Sequence, residues 1–232
     1  MTRPLAWIGV LTLFGCTAGY ANIVTTPAGL APGSTYQLVF VTTDGFFATS
    51  TTISDYNTDV TNEAALNATL AAFDSANGVT WTVIGSTPSV NATTNAPSTG
   101  AVYTLDGTQV ASAADPLYGG SLLAAIDINQ NGATESTTVW TGSTTSGTVA
   151  GGINDLGQTF PEYGSSTLTN GGWIAENNGT DSDNNKPLYA LSSVITVPAA
   201  ASTPEPATVT LVPGALLLLA GLNRLRRHRS RS

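Results

Sequence analysis

Between residues 22 and 203 the chain contains no cysteine, no histidine and one basic side chain, Lys186. Each absence removes a class of chemistry. Without imidazole or thiol there is no Ser-His or Cys-His nucleophilic site, no zinc site built on His or Cys, no iron–sulfur cluster and no His-ligated haem. Without clustered Lys and Arg there is no footprint for phosphate: fourteen acids face one base in this stretch, a net charge of −13, which excludes DNA and RNA as partners. Phosphate loops of the Walker type and dinucleotide fingerprints are missing too. Carboxylate or hard-metal chemistry is all that is left to an enzyme, and no local signature marks a carboxylate pair, so the residues point to a protein that is not an enzyme. Only 9% of the 232 residues are charged, whereas 41% are hydrophobic and Thr, Ser and Asn are very frequent. That balance predicts a folded body covered in hydroxyls and amides rather than a disordered acidic chain.

The missing bases and sulfur sit at the two ends. Residues 1–21 read as a secretory signal, with Arg3 as the positive start, an apolar stretch over 5–14, and Gly19-Tyr20-Ala21 as a small-x-small cleavage site before Asn22. Signal peptidase is then a partner, and the mature chain begins near Asn22. Leu13-Phe14-Gly15-Cys16 is the alternative, a lipoprotein cleavage site with Cys16 acylated. At the other end, Pro204, Glu205 and Pro206 lie in a linker over 198–206, ahead of an apolar run over 207–223 and a basic tail over 224–232. That tail holds Arg224, Arg226, Arg227, Arg229 and Arg231 beside the chain's one histidine, His228. As a helix the run spans about 25 Å, enough to cross a thin bilayer. The arginines stay in the cytoplasm by the positive-inside rule, which leaves the body outside. A generic tail anchor fits the same features.

The order Pro-Glu-Pro, apolar helix, Arg cluster ending the chain resembles the PEP-CTERM sorting signal of Gram-negative bacteria that make extracellular polysaccharide. The resemblance covers Thr203 to Ser232. It implies an exosortase that recognises Pro204, Glu205 and Pro206 and processes the protein at the inner membrane, on its way to the cell envelope, the cell surface or the biofilm matrix. The protein's own activity then belongs to residues 22–203.

Within the body, residues 22–35 are a lead-in, and 36–43 (YQLVFVTT) read as a strand after the turn-forming Pro32-Gly33. Ile53, Tyr56, Val60 and Ala64, then Leu66, Leu70 and Phe73, recur at helical spacing. They predict one long helix or two consecutive ones over 54–74, capped by Thr52 or Ser54 and ending before Asn77-Gly78. Beyond Gly78 the period changes to two, and 79–87, 101–105, 108–111, 125–128, 137–143, 173–176 and 188–197 are predicted strands, with Asp106-Gly107 as a hairpin turn. Segments 144–172 and 177–187 lack periodicity and read as loops. The class is α+β in a single domain.

That order resembles a C-type lectin-like fold over 36–197. The words Tyr103-Thr104-Leu105-Asp106-Gly107-Thr108-Gln109-Val110 and Val139-Trp140-Thr141-Gly142-Ser143 resemble the endostatin-like branch, and Ile53-Ser54-Asp55-Tyr56-Asn57 resembles the start of a recurring bacterial secreted domain of this type. The resemblance implies that 36–43 pairs with 188–197, with two helical segments and long irregular loops between. The usual disulfides, the heparin-binding bases and zinc-binding histidines of endostatin, and the Glu-Pro-Asn or Gln-Pro-Asp calcium loop of sugar-binding lectins have no counterparts here. The likeness therefore speaks to fold rather than to sugar binding.

Two places invite a ligand. Asp127, Asn129 and Asn131 take positions 1, 3 and 5 of a calcium loop of EF-hand type, with Gly132 at 6 and Glu135 at 9. Position 12, where a bidentate Glu closes the shell, is Thr138, and the loop lies between strands, so the stretch reads as a polar turn with a weak calcium site as the alternative. No other cofactor is expected. Trp81 and Trp140 lie inside apolar strand words and read as core, whereas Trp173, after Gly171-Gly172 and before a polar loop, is the candidate to stack on a sugar. Asn67-Ala68-Thr69, Asn91-Ala92-Thr93 and Asn178-Gly179-Thr180 match the N-glycosylation pattern, a match that chance supplies in a chain this rich in Asn and Thr. The expected function is an exported, non-enzymatic surface or adhesive module. The alternatives are a lectin-like module for extracellular polysaccharide and a glycosidase built on a carboxylate pair.

Overall fold

The computed structural model describes residues 22–178 and 181–199. The leader, the Pro204-Glu205-Pro206 motif, the apolar segment over 207–223 and the basic tail lie outside the described residues. Among the described residues no helix is long and apolar enough to cross a membrane.

In chain order the elements are β1 (Thr35–Val41), β2 (Phe46–Phe47), α1 (Ile53–Leu66), α2 (Ala68–Asn77), β3 (Trp81–Val83), α3 (Ala92–Asn95), β4 (Ala101–Thr104), β5 (Gln109–Ala111), β6 (Thr138–Trp140), β7 (Tyr163–Ser165), β8 (Asn185–Lys186), β9 (Tyr189–Ser192) and β10 (Ile195–Thr196). The main sheet runs β3-β9-β1-β4-β5, and β10 also pairs with β1. β1 and β4 are parallel, and the other pairs in this sheet are antiparallel, giving a mixed sheet in an α+β protein.

β1 is apolar at consecutive positions because both of its faces are buried. Tyr36, Leu38 and Phe40 face a core completed by Tyr56, Val60 and Leu70 of the helices. Val39 and Val41 face a second core built from Ile84, Leu117, Trp173 and other residues outside α1 and α2. The spacing of Tyr56, Val60 and Ala64 puts all three on the buried side of α1. The helical stretch breaks at Asn67, whose backbone is extended and whose carboxamide oxygen accepts hydrogen bonds from Thr69 N (3.0 Å) and Leu70 N (3.1 Å), capping α2. Gly78, at φ 65°, closes α2 in the left-handed conformation. Thr52 occupies the N-cap of α1, but its side chain makes no capping bond.

The first and last strands pair, as expected. Val39 lies opposite Leu191 and Thr35 opposite Thr196, and between β9 and β10 the register gains one residue on the C-terminal strand, a bulge. Leu38 N, left without a ladder partner there, donates to Ser192 Oγ (2.8 Å). The buried Gln37 side chain straps the bulge to the loop before β4: its Nε2 donates to Ser192 O (2.8 Å) and Pro97 O (3.1 Å), and its Oε1 accepts from Thr99 N (3.0 Å). Both sheet edges are covered. Val83 in β3 donates to Asn57 Oδ1 (2.8 Å) and accepts from Asn95 Nδ2 (2.9 Å), while Val110 O in β5 accepts from Leu123 N (2.9 Å).

Some predicted elements differ. Of residues 125–128 only Ile128 makes an isolated bridge, to Thr134, and in 173–176 Trp173 ends a 3₁₀ turn that begins at Gly171, so neither stretch is a strand. β7 and β8, sequences YGS and NK, arise inside segments read as loops, because their pairing with β6 and β2 is set by partners distant in sequence and not by any alternation of their own.

The word Val139-Trp140-Thr141-Gly142-Ser143 is buried throughout. Trp140 Nε1 donates to Phe46 O (3.1 Å) and Asn184 O (3.3 Å), Thr141 Oγ1 donates to Ile174 O (2.6 Å), and the Ser143 and Ser86 hydroxyls share a hydrogen bond (2.8 Å). Lys186 closes this region. Its Nζ donates to Thr138 Oγ1 (3.0 Å) and stands 4.5 Å from the Tyr163 ring centre and 5.1 Å from that of Trp140. Burial holds its pKa below the ordinary lysine value.

Candidate functional site

The turn carrying Asp127, Asn129, Asn131 and Glu135 is tied into the body by side chains. Asn129 Oδ1 accepts from Asn131 N (3.0 Å) and Ala133 N (3.0 Å), and Asn129 Nδ2 donates to Glu135 Oε2 (3.3 Å). The oxygen at position 3 of the loop is thereby engaged by the loop's own backbone. Gln130 points inward: its Nε2 donates to Glu63 Oε2 (2.6 Å) and Thr43 Oγ1 (2.6 Å), and its Oε1 accepts from Thr43 N (3.1 Å). Glu63 is buried, and the same carboxylate oxygen accepts from Asp44 N (3.3 Å). The turn is thus pinned to α1 and to the exit of β1. Among the described residues no group of three or more His, Cys, Asp or Glu is arranged to hold a metal. Calcium and magnesium are expected to raise the melting temperature alike, by screening the net charge of −13, with the rise unchanged in Asp127→Ala. A calcium-specific rise that disappears in Asp127→Ala would establish the site.

Asn131 reaches outward instead. Its Oδ1 accepts from Asn67 Nδ2 (3.4 Å), and together with Asn22, Ile23, Leu66, Ala68 and Thr69 these two residues line an open cleft of about 430 Å³. The cleft joins the expected mature N-terminus, the break between α1 and α2, and the calcium-like turn. Leu66 is 68% exposed and Ile23 only 9%, so the cleft has an apolar rim and an apolar wall. Sequence reasoning singled out Asn131 and Asn67 for other reasons and missed the cleft. The helical period carries straight from Leu66 to Leu70 and hides the break.

Trp173 requires a correction. It is fully buried, its ring centre lies 5.7 Å from that of Tyr189 and 6.4 Å from that of Tyr118, and no face is free for a sugar. The 3₁₀ turn, whose Gly172 N donates to Asn170 Oδ1 (3.0 Å), folds the indole inward, and the two glycines before it let the turn pack close against Thr145 and Leu168. Trp81 and Trp140 are core residues, as read. Among the described residues, Trp173 Nε1 and Thr87 Oγ1 are buried without a hydrogen-bond partner.

The acids show the cost of a body with one base. Burial pushes Asp59, Asp74, Asp127 and Glu162 above the ordinary carboxylate range, with Asp55 and Glu63 adding to the rise at Asp59 and Asp106 adding to it at Asp127. Burial also raises Asp106, but hydrogen bonds from Thr104 and Thr108 outweigh it and leave this carboxyl below its ordinary value. A raised acid binds its proton more tightly folded than unfolded, so stability grows as pH falls through that raised pKa. Asp106 acts oppositely, and its contribution is lost only below the ordinary carboxylate range. The melting temperature is therefore expected to rise as pH falls toward the ordinary carboxylate range, about pH 4, and to fall below that. A steady decline from neutral pH in a thermal-denaturation series would contradict this.

No protein-family model matches the chain, and no curated protein matches it significantly.

Proposed function

We propose that this protein is an exported, non-enzymatic surface or adhesive module of the cell envelope or extracellular matrix. It is sorted through Pro204-Glu205-Pro206 and matured by an exosortase, and its body has a C-type lectin-like fold. The observation that carries this reading is the ordered set at the end of the chain, Pro-Glu-Pro, apolar run and Arg cluster, in a chain that also opens with a leader. The lectin-like fold is supported by the pairing of β1 with β9 and β10, by the two consecutive helices, and by the fit of the Asp106-Gly107 hairpin between β4 and β5. A body that closes on its own first and last strands satisfies their backbone groups without a disulfide.

A polysaccharide-binding module is the second reading, favoured by the amide-lined cleft. The sorting reading is tested by Glu205→Ala and by deleting residues 224–232. Each is expected to leave an unprocessed precursor in the inner membrane, read by fractionation and immunoblot. Either variant reaching the surface or medium at the parent's size and rate would refute it.

A further inference from the structure

We infer that the cleft between Asn22, Asn67 and Asn131 is a binding site for a neutral saccharide. The inference rests on the polysaccharide-binding reading and is independent of the sorting reading. Among the described residues its lining carries no charged side chain, although the body around it is strongly acidic. What it offers is three carboxamides, one hydroxyl (Thr69) and three aliphatic side chains (Ile23, Leu66 and Ala68). A carboxamide holds a donor and an acceptor side by side, which matches the paired hydroxyls of a sugar, while the aliphatic groups suit the C–H face of its ring. In the full chain, where a peptide bond still joins Asn22 to the leader, an ionic ligand finds no countercharge on the described lining side chains, and the acidic body opposes an anionic one.

Two of the amides are set in place before any ligand arrives. Asn67 is fixed by its capping bonds to Thr69 N and Leu70 N, and its Nδ2 turns to Asn131. Asn131 N is held by Asn129 Oδ1, and its neighbour Gln130 is locked to Glu63 and Thr43. The contact between the two carboxamides is long, at 3.4 Å, so a sugar hydroxyl can replace it at little loss. Asn131 Nδ2 has no protein acceptor among the described residues, which leaves its donors for a ligand. At about 430 Å³ the cleft falls within the size range of small-ligand sites, roughly 300–1,000 Å³.

The test is saturation-transfer NMR on the full chain in micelles of a sugar-free detergent. Maltose, cellobiose and lactose serve as neutral probes, and an oligogalacturonate serves as the acidic one. Saturable transfer to a neutral probe and none to the acidic one is expected. Asn131→Leu should weaken that binding about tenfold, the loss of hydrogen bonds worth about 1.4 kcal/mol. Asn67→Asp keeps the capping oxygen and removes the amide donor, so it should weaken binding while leaving the melting temperature close to the parent's. Undiminished binding in both variants would place the sugar elsewhere and overturn the cleft while leaving the saccharide reading standing. Transfer to the acidic probe alone would overturn the neutral assignment, and transfer to none of the probes would overturn both readings.

Discussion

Trp140→Ala is expected to destabilise the protein by about 3–5 kcal/mol, measured by urea denaturation. The side chain is fully buried, its indole N–H bridges the carbonyls of Phe46 and Asn184, and its ring lies 6.1 Å from Tyr163 in edge-on contact. Its loss empties the junction where β2, β6, β7 and β8 meet and leaves two carbonyls short of a donor. Trp140→Phe retains most of the volume and should recover a large part of the loss. Equal stability of Trp140→Ala and the parent would show that this junction does not hold the loops together.

Gly142→Ala is expected to be more damaging, with no folded protein recovered or a loss above about 4 kcal/mol. Gly142 adopts φ +59°, and a Cβ there would overlap Leu156 N and Ser86 O, main-chain atoms that no rotamer change can move aside. Gly29 supplies the control. It also has a positive φ (+81°), but no atom lies within 4 Å of an added Cβ, so Gly29→Ala should carry only the conformational penalty of about 1–2 kcal/mol. Circular dichroism melts of the two variants separate close approach from backbone conformation. Similar losses in both would assign the whole effect at Gly142 to φ.

Much of the fold was legible where one element carries its own pattern. β1 announces itself as a continuous β-branched and aromatic run, the helices by Tyr56, Val60 and Ala64, and the β4-β5 hairpin by Asp106-Gly107. β7 and β8 were illegible because a glycine-centred and an all-polar segment become strands only through distant partners. Trp173 misled because the glycines before it read as a loop leading outward, whereas their lack of a side chain lets the turn pack against Thr145 and Leu168 with the indole inside. At the candidate site, the turn at Asp127 to Gly132 was recognisable from composition. The engagement of Asn129 and the inward lock of Gln130 depend on backbone amides and on Glu63, far away in sequence. The cleft draws on residues 22–23, 66–69 and 131 and belongs to none of them locally.

The single lysine beneath the loops also decides how the body meets proteases that cut after Lys or Arg. Enzymes that cut after Lys or Arg need such a residue to be accessible and followed by something other than proline. From Asn22 to Asn223 the only Lys or Arg is Lys186, and Pro187 follows it. The ammonium is folded over Tyr163 and Trp140, and Pro187 O accepts the Trp140 amide (3.0 Å), so the peptide is fixed in place as well as chemically unsuitable. A trypsin-like protease therefore finds no cleavable bond from Asn22 to Asn223, whether the body is folded or unfolded.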